Sequence, residues 1–324
     1  MKKNTLKRLC SSLLPGFVMS LLLVSCTEDT SEREFSNPPD SLESSLDSLP
    51  ESKEIKEEEP EIKRLQVGYS IDSLATGTDV DSLYSRYSES QRKTIYALNR
   101  IEEYRVQPNI PIIIPDTISE DINLYSPFPK ELQILDSIPK AVLIAQRIQG
   151  FALYEAGKLV KWGPVSSGKQ TTPTPNGLHY GNYKAKRKVS TVNSDWILPY
   201  YFNFMNFEGV GVHQYNLPGF PASHACVRLY MEDAKFIYDW ARMWELENDI
   251  IVRNGTPFMV FGDYEFDAAV PWLSLSRDME TNDLNEEELQ TLKNYVSEYK
   301  QDPRNFREEE AGEEENKLAE NSST

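Results

Sequence analysis

The stretch PASHACVRLY, residues 221–230, places His224 two positions before Cys226, and a second histidine, His213, lies thirteen positions upstream of the thiol. The chain has three histidines, and two of them fall in this short window. A cysteine attacks as its thiolate, and an ordinary thiol with a pKa of about 8.5 is only a few per cent ionised at neutral pH. An adjacent imidazole can take that proton and form a thiolate–imidazolium pair. The spacing therefore points to nucleophilic catalysis. His213 closes the apolar run EGVGVH, which reads as a short strand, and a strand end can hold a base rigidly at a cleft. His224 would share a face with Cys226 if the backbone between them is extended. The prolines and glycine of PGFPASHAC favour a loop instead. Zinc is the chemical rival, with His213, His224 and Cys226 as ligands. The sequence lacks the CxxC pair or HExxH helix that would strengthen that reading, and no metal is expected.

Cysteine usage sharpens the point. Lys2, Lys3, Lys7 and Arg8 precede an apolar stretch from Leu13 to Val24, an arrangement that reads as an export signal over 1–25. Twelve helical residues reach roughly 18 Å, short of a hydrocarbon core of about 30 Å. The signal's end, LLVSC, resembles a bacterial lipobox, which implies lipidation at Cys26 and a lipid anchor. Thr27 at the next position resembles lipoproteins sorted to an outer membrane, which implies its periplasmic side. Cys10 would leave with the signal, so Cys226 would stand without a disulfide partner in an oxidising compartment. Cleavage would also remove four positive charges and take the formal net charge from −17 to −21. Nucleic acid is therefore not an expected partner, and anionic lipid is a poor one for the body of the chain.

The remaining sequence must position this chemistry. Residues 26–64 are rich in Ser, Glu, Asp and Pro and read as a disordered acidic tether. Residues 65–137 read as a small helical or α+β subdomain, with Leu83, Tyr87, Ile95, Leu98 and Ile101 near helical spacing and Ser88–Ser90 as a break. Its ALNR…IPIIIPD faintly resembles the second half of a LysM glycan-binding module without a recognisable first half; a packing subdomain is the preferred reading. From 138 to 263 the texture is that of many short strands. Turns are expected at Gly157 and Asn176–Gly177, and one substantial helix over 231–245 carries Ala234, Ile237, Ala241 and Trp244 on its stripe. This is a mainly β class, not a doubly wound one. Residues 264–324 hold one more helix, capped by Asn285 with Glu288, and an acidic disordered tail.

Read together, GVGVHQYNLPGFPASHACVRLYMEDAKFIYDWA resembles the active-site segment of the L,D-transpeptidase (YkuD-type) catalytic domain. SSGKQTTPTPNGLHYG, SDWILPYYFNF and GTPFMV are similar to flanking pieces of the same family, in the right order. The resemblance implies a YkuD-like β-sandwich and a cysteine acyltransferase acting on peptidoglycan stem peptides, without a cofactor. Cys226 would be the nucleophile and form a thioester; His213 would be the base, oriented by the backbone carbonyl of Gln214. The N–H groups of Ala225 and Cys226 would form the oxyanion hole. His224 and Ser223 would support the loop or the substrate, and Arg228 would fix a substrate carboxylate. Two positions depart from the pattern: Ala225 stands where the family has glycine before the cysteine, and Gln214 where glycine commonly follows the first histidine. If position 225 needs positive φ, alanine costs of order 1 kcal/mol or more. Water in place of an amine acceptor would make the chain an L,D-carboxypeptidase. An inert Cys226 would leave a non-catalytic cell-wall-binding lipoprotein. Papain-like peptidases fit poorly, because there the cysteine usually precedes its histidine.

Overall fold

The computed structural model describes residues 67–306. The export signal, Cys26, the tether and the acidic tail lie outside those residues. The described chain is mainly β. It begins with β1 (Tyr69–Asp72), α1 (Gly77–Arg86), α2 (Glu89–Leu98) and β2 (Ile112–Pro115). There follow β3 (Ala141–Ala145), β4 (Gly150–Glu155), β5 (Lys158–Pro164), β6 (Gly177–Tyr180), β7 (Tyr183–Val189), β8 (Ile197–Met205), β9 (Val210–Gln214) and β10 (Val227–Leu229). The chain continues through α3 (Met231–Trp240), β11 (Glu245–Glu247), β12 (Ile250–Arg253), β13 (Pro257–Phe261) and α4 (Glu286–Gln301).

Two sheets make the sandwich. The larger has the order β5-β4-β3-β13-β6 and the smaller β10-β9-β8-β7. The larger sheet is covered on both faces, which is why its central strands are apolar at every position. Val142 and Ile144 of β3 and Phe258 and Val260 of β13 face the smaller sheet and α3. Leu143, Ala145, Met259 and Phe261 face the other way, onto Trp272 and onto Leu292 and Val296 of α4. The smaller sheet alternates instead. Phe202, Phe204, Val210, Val212, Val227 and Leu229 point into the sandwich, leaving the intervening residues on its outer face.

The N-terminal elements are joined to this body. The strands β1 and β2 pair antiparallel around α1 and α2. Ser88 caps α2 in a capping box with Gln91, so the serine run does interrupt the helical stretch. Leu98 and Ile113 share a core with β3, β4 and α4. Arg100 is 1% exposed, donates from Nε to Ile148 O at 3.1 Å, and lies 4.7 Å from the ring centre of Trp272. Burial without a carboxylate lowers its pKa to about 10.

The helix expected over 231–245 is shorter. It ends at Trp240, and Trp244 is not on its stripe. Three bonds turn the chain away: Lys184 Nζ donates to Ala241 O at 2.6 Å, Arg242 N to Thr256 Oγ1 at 2.9 Å, and Trp244 N to Gly181 O at 2.9 Å. At the other end of the domain, Asn285 caps α4 reciprocally with Glu288, which Arg147 clamps at 2.8 Å from strand β3's end.

Candidate active site

The site lies on the outer face of the smaller sheet, and strand register builds it. The strands β9 and β10 are parallel, with Val227 opposite Val212 and Arg228 opposite His213. One residue back, Cys226 stands beside Gly211. Residues 211, 213, 226 and 228 therefore share the outer face, since 212, 227 and 229 are in the core. On β8, Asn203 is opposite Gly211. The outer face thus carries two rows across three strands: Tyr201, His213 and Arg228 in one, and Asn203, Gly211 and Cys226 in the other. Gly211 admits no side chain, because a Cβ there would come 2.5 Å from Phe202 O. Tyr201, Asn203, His213, Cys226 and Arg228 line a cleft of about 410 Å³, together with Ser223, His224, Ala225 and Trp196.

His213 is 4% exposed, and its Nδ1 lies 2.9 Å from Gln214 O. A carbonyl only accepts, so Nδ1 carries the proton and Nε2 is left as a lone-pair acceptor. Burial lowers the pKa of His213 to about 4; the Gln214 bond opposes that shift and the Arg228 charge adds to it. Burial raises the pKa of the Cys226 thiol, against smaller lowering effects from the Gly211 backbone and Arg228. The thiol is 3.8 Å from Gly209 O, which favours S–H. The pair therefore rests as neutral thiol and neutral imidazole.

The loop before β10 is held by the segment after β5. Ser223 N donates to Ser167 O at 3.0 Å, Lys169 N to Ser223 O at 3.0 Å, and Thr174 Oγ1 to Ala225 O at 2.7 Å. Gly168 makes this clamp possible, since a Cβ there would meet Thr172 O at 2.3 Å. The Ser223 hydroxyl donates to Cys226 O, so it ties the loop and does not reach out of it. Ala225 has φ +75°, the left-handed conformation that favours glycine. Among the described residues the N–H groups of Ala225 and Cys226 have no acceptor and remain available.

His224 is half-buried against Trp196, with ring centres 5.2 Å apart, and its Nε2 lies 3.1 Å from Lys169 Nζ. The ammonium must donate, so Nε2 accepts. Partial burial and the Lys169 charge lower the pKa of His224. The same positive charge opposes a metal at Nε2, and among the described residues no group of three His, Cys, Asp or Glu side chains is arranged to hold one. Arg228 donates to Ala222 O at 2.8 Å and lies 4.8 Å from the Tyr215 ring centre. No carboxylate pairs with it among the described residues. Gln214 contributes its carbonyl to His213, and its side chain is not part of the cleft wall. His179 sits on β6 in the other sheet, 5.7 Å from the Phe204 ring centre, away from the cleft.

Tyr201, an aromatic that the sequence favours as core, and Asn203, which residue type did not single out, also line the cleft. The signal was present in ILPYYFNFM: with Phe202 and Phe204 in the core, Tyr201 and Asn203 must face out. Tyr201 donates to Gly209 O at 2.7 Å, beside the thiol, and receives Asn203 Nδ2 at 2.6 Å.

Residues 140–260 match the family model of YkuD, the L,D-transpeptidase catalytic domain. An L,D-transpeptidase (Yku) from Stackebrandtia nassauensis is 26% identical, with 39% of this chain and 57% of that chain covered and a TM-score of 0.32. This chain spans little more than half of that protein's length. The catalytic domain of an Enterococcus faecium L,D-transpeptidase is 24% identical over 38% of this chain and 96% of that one, with a TM-score of 0.29. An L,D-transpeptidase from Mycobacterium tuberculosis H37Rv is 16% identical over 60% and 91%, with a TM-score of 0.31. No curated protein matches the chain. The sandwich (but for Phe261), the histidine strand and the SHAC loop all fall within residues 140–260, the segment that is similar to the YkuD family of L,D-transpeptidase catalytic domains.

Proposed function

We propose that the chain is a cysteine-dependent L,D-transpeptidase acting on peptidoglycan stem peptides. The observation that carries this reading is the single cleft shared by Cys226 and by a His213 whose tautomer the Gln214 carbonyl sets. His213 Nε2 would take the thiol proton as sulfur attacks the scissile carbonyl. The N–H groups of Ala225 and Cys226 would receive the developing oxyanion, where one such donor contributes roughly 3 kcal/mol. Arg228, free of a carboxylate partner, would hold a substrate carboxylate, and collapse would expel D-alanine and leave a thioester on Cys226. An amine then resolves the thioester to a cross-link. This chemistry calls on no cofactor. Export and lipidation at Cys26 would tether the enzyme to the periplasmic side of the outer membrane, with the acidic segment giving it reach.

Incubation of the full-length protein with a purified stem tetrapeptide, or with a carbapenem, tests this by intact mass. The expected result is an acyl adduct on wild type and none on Cys226→Ala. Folded wild type without an adduct would overturn the assignment and leave a non-catalytic wall-binding role.

A further inference from the structure

Asn203 sits one strand beyond Gly211 from the nucleophile, and its amide orientation is decided by its neighbours. The Tyr201 hydroxyl has one proton, and Gly209 O, which only accepts, takes it. What meets the hydroxyl oxygen at 2.6 Å must then be a donor, so Asn203 presents its Nδ2 there. Among the described residues its Oδ1 has no partner and is buried, on a residue that lines the cleft and is only 5% exposed. A buried amide oxygen without a donor is costly to leave empty. Gly211 lacks a side chain, so nothing stands between this oxygen's strand and that of Cys226.

The cleft carries charged groups as well. Following β9, Gly209 and Glu208 lie at one end, Cys226 stands beside the middle, and Arg228 lies beside His213 at the other. Lys188 also lines the cleft, its ammonium 5.3 Å from the ring centre of Tyr183. Among the described residues lining the cleft, Glu208 is the sole carboxylate, and it is exposed on the β8–β9 turn. The Arg228 end suits a carboxylate. The Asn203–Glu208 end offers acceptors and negative charge, which suit a donor-rich cation.

We infer that Asn203 Oδ1 and Glu208 form a subsite for the acyl acceptor and select a primary amine over water. This rests on the transpeptidase reading and adds the residues that choose the amine acceptor over water. The ammonium would be gathered by Glu208 and lose one proton to solvent. The amine nitrogen then attacks the thioester carbonyl carbon; the C–N bond forms and the C–S bond breaks. A second proton passes from nitrogen through His213 Nε2 to the departing sulfur, giving amide and thiol. The hydrogen that stays on nitrogen is held by Asn203 Oδ1, which aims the lone pair at the thioester.

The test follows both steps in the full-length protein. A donor tetrapeptide forms the adduct. A stem tripeptide with a free side-chain amine, or the same peptide acetylated on that amine, is then offered, and the ratio of amide to hydrolysed product is measured. Asn203→Val is expected to lower that ratio about tenfold or more, the scale of a hydrogen bond to a charged or reacting amine. Glu208→Gln, a surface change, is expected to raise the amine KM several-fold and leave hydrolysis alone. An unchanged ratio in Asn203→Val protein that still forms the adduct overturns the inference. If that variant does not fold, an unchanged amine KM in Glu208→Gln does so. If wild type never forms an adduct, the transpeptidase reading fails separately. Calorimetry of the free-amine and acetylated tripeptides on Cys226→Ala, with and without Glu208→Gln, then decides the amine site: preference for the free amine that Glu208→Gln weakens supports it, and no preference overturns it.

Discussion

The protonation state of the resting site can be worked out and measured. His213 has a pKa of about 4, and burial holds the Cys226 thiol above its ordinary value of about 8.5. Moving the proton from sulfur to nitrogen between separated groups therefore costs at least about 6 kcal/mol, the equivalent of a gap of more than about four pKa units. The resulting ions attract. In contact at ~4 Å, with an effective dielectric constant of ~20, that recovers about 4 kcal/mol. At least about 2 kcal/mol remains against the ion pair, a population of at most a few per cent. The thiolate should therefore be scarce in the free protein and form only as substrate is attacked. Thiolate ultraviolet absorbance, taken as wild type minus Cys226→Ala, should stay flat across neutral pH and rise only above the ordinary thiol range. Alkylation of Cys226 by iodoacetamide should climb about tenfold per pH unit over the same interval. A pH-independent plateau of fast alkylation from mildly acidic to neutral pH would show a standing thiolate–imidazolium pair and refute the reasoning.

Other outcomes follow from single residues. Ala225→Gly should stabilise the protein by roughly 0.5–1 kcal/mol, because relief of left-handed strain exceeds the extra freedom of the unfolded glycine; urea midpoints read this directly. His213 has its folded pKa below its ordinary 6.5, so the unfolded chain takes up that proton first, and stability is lost as pH falls from 6.5 through about 4. The loss is about 3 kcal/mol at most, and His213→Gln should flatten that limb in urea titrations at several pH values. Asp233 has the opposite sign: burial outweighs its 2.9 Å pairing with Lys161 and lifts it from 3.8 to about 6, so its contribution falls as pH rises through that interval, and Asp233→Asn should remove the slope. Gly168→Ala should cost roughly 2 kcal/mol or more in thermal or urea unfolding and loosen the loop, since the new Cβ meets backbone and not a flexible side chain.

The mainly β class was legible in the many short strands and the sandwich in the family resemblance; the structure shows the two strand patterns behind it. Unbroken apolar runs such as AVLIA and PFMVF mark a sheet covered on both faces, and the alternation around Phe202 and Phe204 marks a sheet with one face open. Residue type and spacing singled out Cys226 and His213, which line one cleft, and family resemblance pointed to the Gln214 carbonyl, which lies 2.9 Å from His213 Nδ1. The need for positive φ at Ala225 was legible as a condition, which the backbone meets. What was not legible depends on partners distant in sequence. Helix α3 stops at Trp240 because Lys184, Thr256 and Gly181 capture the chain there, and nothing in 231–245 announces them. The orientation of Asn203 depends on a hydroxyl two residues away and a carbonyl in the next turn. Hydrogen-bond direction of that kind is a property of the assembled site, not of composition.

The loop that joins the histidine strand to the cysteine strand leans on residues far upstream. Glu102 N donates to Leu217 O at 3.1 Å, Ile101 bridges Pro218, and the Tyr230 hydroxyl donates to Ile101 O. All of these upstream contacts lie before residue 140, where the recognised family domain begins. An excised 140–260 fragment would carry every reacting atom and lose the buttress that keeps two of them in register. The folded unit that holds this cleft is larger than the matched segment, and a chain cut to 140–260 would keep the cleft's residues without the support beneath their loop.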